Sequence, residues 1–204
     1  MIRPASRGFS LIEMLLVLVI IGIVAALVVP AADTVIRGMR LTQATQTVMD
    51  QLAIARQAAI GKNRIVEVRF YQFADPETPS STVSFRAMQS LEMINSRGLA
   101  PLNNVIFLPV STIMDAAPTL SSLLDPSART LCSGTDSLPR VGTNYHYIAV
   151  RFRPDGSTDL LPTGGPWFLT IHAEVSGDSL SRPPANFSTV EIDPVNGDLK
   201  VFRP

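Results

Sequence analysis

The chain has 204 residues, which suits one globular domain with an anchoring segment and is short for two full domains. Seventeen Lys and Arg balance 17 Asp and Glu, so no net positive charge argues for binding phosphates, and nucleic-acid recognition has no electrostatic basis. The single cysteine, Cys132, excludes an internal disulfide and offers no cysteine framework for a metal.

In chain order the first feature is an uninterrupted apolar run. Met14 to Ala32 carries no charge and no polar side chain over 19 residues. At the helical rise this is about 28 Å, close to a bilayer core of roughly 30 Å. Arg3 and Arg7 precede it and no acidic residue lies before Glu13, so the positive-inside rule keeps the first residues cytoplasmic and exports the rest. Three arrangements satisfy this pattern: a secretory signal cut near Ala31-Ala32, a plain transmembrane anchor, and a signal cut before the apolar run. Glu13 separates them, because a carboxylate inside an apolar span is costly and neither a signal peptide nor a passive anchor needs one.

The stretch Gly8-Phe9-Ser10-Leu11-Ile12-Glu13-Met14-Leu15-Leu16-Val17 resembles the prepilin cleavage and methylation signature of type IV pilins and type II secretion pseudopilins. The resemblance implies an α+β, pilin-like fold, with a long N-terminal helix packed on a C-terminal antiparallel sheet. It implies cleavage between Gly8 and Phe9 by a prepilin peptidase, N-methylation of Phe9, and contact of Glu13 with the Phe9 amine of a neighbouring subunit. A buried carboxylate met by a cation would also set the register of otherwise featureless apolar helices. Pro30 falls where many pilins carry a helix-bending proline. It also fits a simple helix end, with Asp33 positioned to cap a new helix. The implied partners are the peptidase, other pilin or pseudopilin subunits and the inner membrane. The implied location is a single-pass inner-membrane protein with a periplasmic C-terminal domain, in a filament after assembly.

Beyond Pro30, Leu41, Ala44, Val48, Leu52, Ala55 and Ala59 recur at spacings of three and four, the stripe of an amphipathic helix that packs on a sheet. Gly61-Lys62-Asn63 reads as its stop. The expected division is therefore a leader at 1–8, a membrane and filament-core half-helix at 9–32, an amphipathic half at 33–61 and a β-rich head at 62–204. In the head, Val66, Val68 and Phe70 alternate with polar partners, Val83, Phe85 and Ala87 continue the style, and Val105–Leu108 is a short apolar run that reads as a buried strand. Residues 111–141 hold three prolines and several serines and read as a long loop, with a short helix near Leu120–Leu124 and a natural contact surface for a partner. Tyr145–Phe152, the Asp155-Gly156 turn and Trp167–Ala173 read as one hairpin. Val190–Asp193, Asn196-Gly197 and Leu199–Phe202 read as another. About four to six strands are expected.

The segment Phe152–Ser157 resembles a strand-turn element of H-type minor pseudopilins, and Ile192–Pro204 resembles their closing hairpin. The whole layout is similar to the Verru_Chthon cassette protein D family. This favours a minor component, with a filament-tip or membrane-anchored binding module as the alternative.

No catalytic constellation emerges, so the expectation is a structural protein without catalytic residues, metal or cofactor. His146 and His172 each sit in a strand pattern and read as surface or lining residues. Cys132-Ser133-Gly134 has no histidine near it in sequence. Asp155, Asp193, Asn196 and Asp198 carry oxygens in turns, and some major pseudopilins bind calcium in such loops, but turn formation accounts for all four.

Overall fold

A computed structural model describes residues 9–77, 81–95, 98–174 and 182–204, with the side chains of 27–34 and 95 outside the described set. The chain divides into two units, Met1–Met39 and Arg40–Pro204. Helix α1 (Leu11–Lys62) is continuous, through Pro30 and Asp33 alike. Pro30 therefore does not end a helix and Asp33 does not cap a new one. A proline deletes one backbone hydrogen bond, and the turns on either side remain intact.

In the first unit the described side chains of α1 are exposed on every side, from Leu11 to Ala26. In the second unit α1 is amphipathic. Leu41, Ala44, Val48, Leu52, Ala55 and Ala59 are all buried, as their spacing predicts. The helix closes with Asn63 in the left-handed region (φ 50°). The Arg64 amide bonds to the Ala59 carbonyl (3.1 Å) and the Asn63 amide to Ile60 (3.3 Å), a Schellman closure built on asparagine.

Among the described residues ten strands form one antiparallel sheet: β1 (Val66–Phe73), β2 (Ser84–Asn95), β3 (Gly98–Pro101), β4 (Ile106–Phe107), β5 (Thr112–Met114), β6 (Cys132–Gly134), β7 (Tyr145–Phe152), β8 (Trp167–Ala173), β9 (Phe187–Ile192) and β10 (Leu199–Phe202). The order is β10-β9-β8-β5-β2-β1-β7-β6, with β3 and β4 also paired to β2. The count exceeds the expected four to six mainly through β3, β5 and β6, which have only three or four residues each, too few to carry a period of their own. One face presents Val66, Val68, Phe70, Ile148, Val150, Phe152, Leu169 and Ile171 to α1, forming the main core. The other face buries a smaller cluster around Tyr71, Phe73, Ala87, Leu138 and Tyr145. A β-bulge joins the two patterns. Tyr71 pairs with Ala87 and Gln72 with Phe85, so Arg86 is skipped and Phe85 and Met88 both reach the helix-facing core.

Two sequence expectations change. β7 pairs with β1 and β6, and β8 with β5 and β9, so Tyr145–Phe152 and Trp167–Ala173 are not hairpin partners. The Asp155-Gly156 turn does reverse the chain, with an isolated bridge from Phe152 to Thr158, but the Gly-rich stretch after it carries β8 to another part of the sheet. The segment 111–141 is not a free loop either. It contains β5 and β6, it buries Leu120, Ser121, Leu123, Leu124 and Leu138, and no α-helix forms near Leu120–Leu124. Ser121 and Ser122 hydroxyls accept the β8 amides of Thr170 and Phe168 at 3.0 Å, so this segment is stitched along a strand.

Candidate functional site

The N-terminal motif gives the helix its start. Ser10 precedes α1 and Glu13 lies in its first turn. The Ser10 amide donates to Glu13 Oε2 (2.9 Å) and the Glu13 amide donates to Ser10 Oγ (3.3 Å). This is a reciprocal capping box: each side chain satisfies an amide that has no helical partner. The Ser-x-x-Glu spacing is the sequence signal for it, a local role for Glu13 beside the intermolecular one that the prepilin resemblance implies. Among the described residues, Glu13 Oε1 meets no hydrogen-bond partner. Phe9 lies just before the cap and is 74% exposed. Gly8 lies outside the described residues. Pro30 is helical in its backbone, and its side chain lies outside the described set.

Behind the cap, Met14 to Val24 present an all-round apolar surface in which even the most shielded large side chain, Val17, is 45% exposed. A helix of this kind needs an apolar medium or other helices around it. Among the described residues no helix is long and apolar enough to cross a membrane. The apolar run of the sequence, Met14–Ala32, continues into residues whose side chains are not described.

The candidate chemistry in the head resolves into structural contacts. His146 is exposed on β7, in register with Ser133 of the edge strand β6, and Cys132 stands opposite Tyr147. Strand pairing thus brings a histidine beside Ser133 that lies far from it in sequence, but no hydrogen bond joins their side chains, and a nucleophile needs its base within about 3 Å. Gly134 is fixed by packing: a Cβ there would lie 1.9 Å from the Tyr145 ring. His172 is fully buried, not a surface or lining residue. Its Nε2 meets Asp115 Oδ2 (2.9 Å) and its Nδ1 meets the Ala173 carbonyl (2.8 Å).

The oxygen-bearing turns are likewise occupied. Asp155 Oδ1 accepts the Ser157 hydroxyl (2.7 Å) and amide (2.9 Å), which hold its carboxyl below the usual range. Asp193 Oδ1 accepts the Val195 amide (2.8 Å), Asn196 Oδ1 accepts the Asp198 amide (2.8 Å), and Asp198 Oδ1 pairs with Arg56 of α1 (3.2 Å). Among the described residues no three acidic, histidine or cysteine side chains converge on a metal position. The expected result is that neither calcium nor EDTA moves the thermal unfolding midpoint, since only a ligand that prefers the native state can do so. A calcium-dependent rise measured by scanning calorimetry would contradict this account of the turns.

Residues 3–29 match the family described as "Prokaryotic N-terminal methylation motif". A solved structure, the minor pseudopilin EpsH from the type 2 secretion system of Vibrio cholerae, is 15% identical, with 81% of this chain and 98% of that chain covered and a TM-score of 0.45. No curated protein matches at a significant level. The matched motif makes the chain pilin-like, a structural subunit of the pilus or pseudopilus kind, with a long helix followed by an antiparallel sheet. The match does not reach Phe152–Ser157 or Ile192–Pro204, on which the H-type resemblance rests, and it covers only the start of the layout on which the cassette resemblance rests.

Proposed function

We propose that this chain is made as a prepilin, cut between Gly8 and Phe9 by a prepilin peptidase, N-methylated on Phe9, and assembled as a minor subunit of a type IV pilus or type II secretion pseudopilus. Before assembly the helix of residues 9–32 anchors it once in the bacterial inner membrane, with the head in the periplasm. The supporting observation is the methylation motif at residues 3–29, laid onto a helix whose first turns are apolar on all sides and exposed. Glu13 adds a specific role. One carboxylate oxygen caps its own helix, and the other, with no partner among the described residues, is open to the Phe9 amine of a neighbouring subunit. A charge pair between apolar helices fixes their register. In this reading Pro30 lets the helix adjust to its packed neighbours, and the chain works by assembly rather than catalysis.

Two measurements test this. Intact-mass analysis of protein from membranes containing a prepilin peptidase is expected to give a chain beginning at N-methylated Phe9. A chain beginning near Asp33 would make it a secreted protein with a removed signal peptide, and an uncut chain would leave a membrane-anchored β domain. Glu13→Val is expected to insert into the membrane normally and to fail in assembly with partner pilins. If the variant enters filaments at the wild-type level, Glu13 has no register role.

A further inference from the structure

We infer that the cleft beside Arg129 and Arg151 binds a carboxylate on a peptide segment of another protein. The inference does not depend on the filament reading. The cleft has a volume of about 360 Å3, in the range of ligand sites, whereas the cavity near Arg86 and Arg140 has about 30 Å3, room for one water. Its lining comes from three separate parts of the chain: the 128–132 segment, β7 with Asp159 and Leu161 beyond it, and Trp167 of β8.

The local fold explains how Arg129 arrives there. Asp125 begins a turn in which its side chain accepts the Ser127 amide (2.8 Å) and its carbonyl accepts the Arg129 amide (2.9 Å). The Arg129 side chain then returns over β7, where Nη2 donates to the Ala149 carbonyl and to Asp159 Oδ2 (3.2 Å). The acceptors around the cleft are already engaged. Asp159 Oδ1 accepts the Arg151 amide (2.9 Å) as well as Arg129. Buried Glu67 accepts Arg69 Nε on one oxygen (2.6 Å) and Arg151 Nε on the other (2.8 Å).

What remains unmet is donor capacity. Arg129 Nε is buried without a partner. Among the described residues Arg151 is held only through Nε and its main chain, and its side chain is 48% exposed, so both terminal nitrogens are open. Three guanidinium groups, Arg69, Arg129 and Arg151, stand against two carboxylates, Glu67 and Asp159, leaving one positive charge in excess. An anionic, planar acceptor satisfies both the charge and the free N–H groups. The walls argue for a peptide rather than a free small anion. Trp167 lines one side and Leu161, 66% exposed, stands at the rim, so a carboxylate flanked by apolar side chains buries surface that acetate cannot.

Trp167 is the chain's only tryptophan, so its fluorescence reports on the cleft in the full-length protein in detergent micelles. The probe is the capped peptide Ac-Ala-Leu-Glu-Leu-Ala-NH2, with its glutamine counterpart and sodium acetate as comparisons. Saturable binding of the glutamate peptide is expected, weaker by about tenfold or more for the glutamine peptide and for Arg151→Gln, the effect of losing one charge-assisted hydrogen bond. Thr130→Asp, at an exposed rim position that leaves the core untouched, is expected to weaken binding by repulsion to a similar extent. The inference is overturned if no saturable change occurs, if glutamate and glutamine peptides bind alike, if both variants bind like the wild type, or if acetate binds as tightly as the peptide.

Discussion

Gly197→Ala is expected to destabilise the head by about 3 kcal/mol, combining left-handed strain with overpacking. Gly197 has φ +69°, and an added Cβ would lie 2.4 Å from the Gly156 carbonyl oxygen and 3.2 Å from the Arg56 side chain. Neither neighbour can withdraw cheaply. The Gly197 amide is bonded to the Asp193 carbonyl (2.8 Å), and the facing turn is tied to this one because Thr158 donates both its amide (3.1 Å) and its hydroxyl (3.0 Å) to the Pro194 carbonyl. Arg56 is held by Asp198. The two turns therefore stand against each other and against α1 at a distance only glycine allows. Gly165→Ala supplies the control: its φ is +88°, but nothing lies within 4 Å of the new methyl group. It is expected to cost only the backbone strain, about 1 to 2 kcal/mol. Urea or thermal unfolding of the two variants measures the difference, and equal losses would show that the contact between the turns carries no weight.

This contact also marks what the sequence could not reveal. Asp155-Gly156 and Asn196-Gly197 were legible as turns because their residue types have few other uses. That they pack on each other depends on the sheet order, which brings residues about forty positions apart together. The same division runs through the fold. The stripe from Leu41 to Ala59 and the strands β1, β7 and β8 were legible because each is long enough to show its period. The apolar run Val105–Leu108 also marked β4, but β3, β5 and β6 were not legible, since their pairing is supplied by long neighbours such as β2, β7 and β8. The N-terminal motif was fully legible, being linear. Ser10 was missed although Ser-x-x-Glu is itself a signature, because one residue, Glu13, serves both a local and an intermolecular pattern. The cleft was invisible: Arg129, Arg151, Asp159 and Trp167 share no motif, and only the return of the 125–131 segment over β7 assembles them.

That return begins at Asp115, where removing the side chain is expected to cost about 3 kcal/mol or more and changing it to asparagine much less. Asp115 sits just beyond β5, its amide bonded to the Thr170 carbonyl (2.9 Å). One side-chain oxygen accepts the Ala117 amide (2.6 Å) and the other meets Nε2 of fully buried His172 (2.9 Å). Asp115→Ala takes the acceptor from the Ala117 amide and removes the carboxylate that meets the buried His172 ring, and a buried polar group that loses its partner carries its desolvation cost. Asparagine can keep both bonds. Its carbonyl oxygen accepts from Ala117, its amide N–H donates to the Nε2 lone pair, and Nδ1–H still donates to the Ala173 carbonyl. The substitution thus separates hydrogen bonding from charge. If asparagine proves as damaging as alanine in unfolding experiments, the ionic attraction rather than the hydrogen-bond count holds this site. Because Ala117 opens the segment that carries Ser121 to β8 and Arg129 to the cleft, Asp115→Ala is also expected to weaken peptide binding there, and Asp115→Asn to leave it intact.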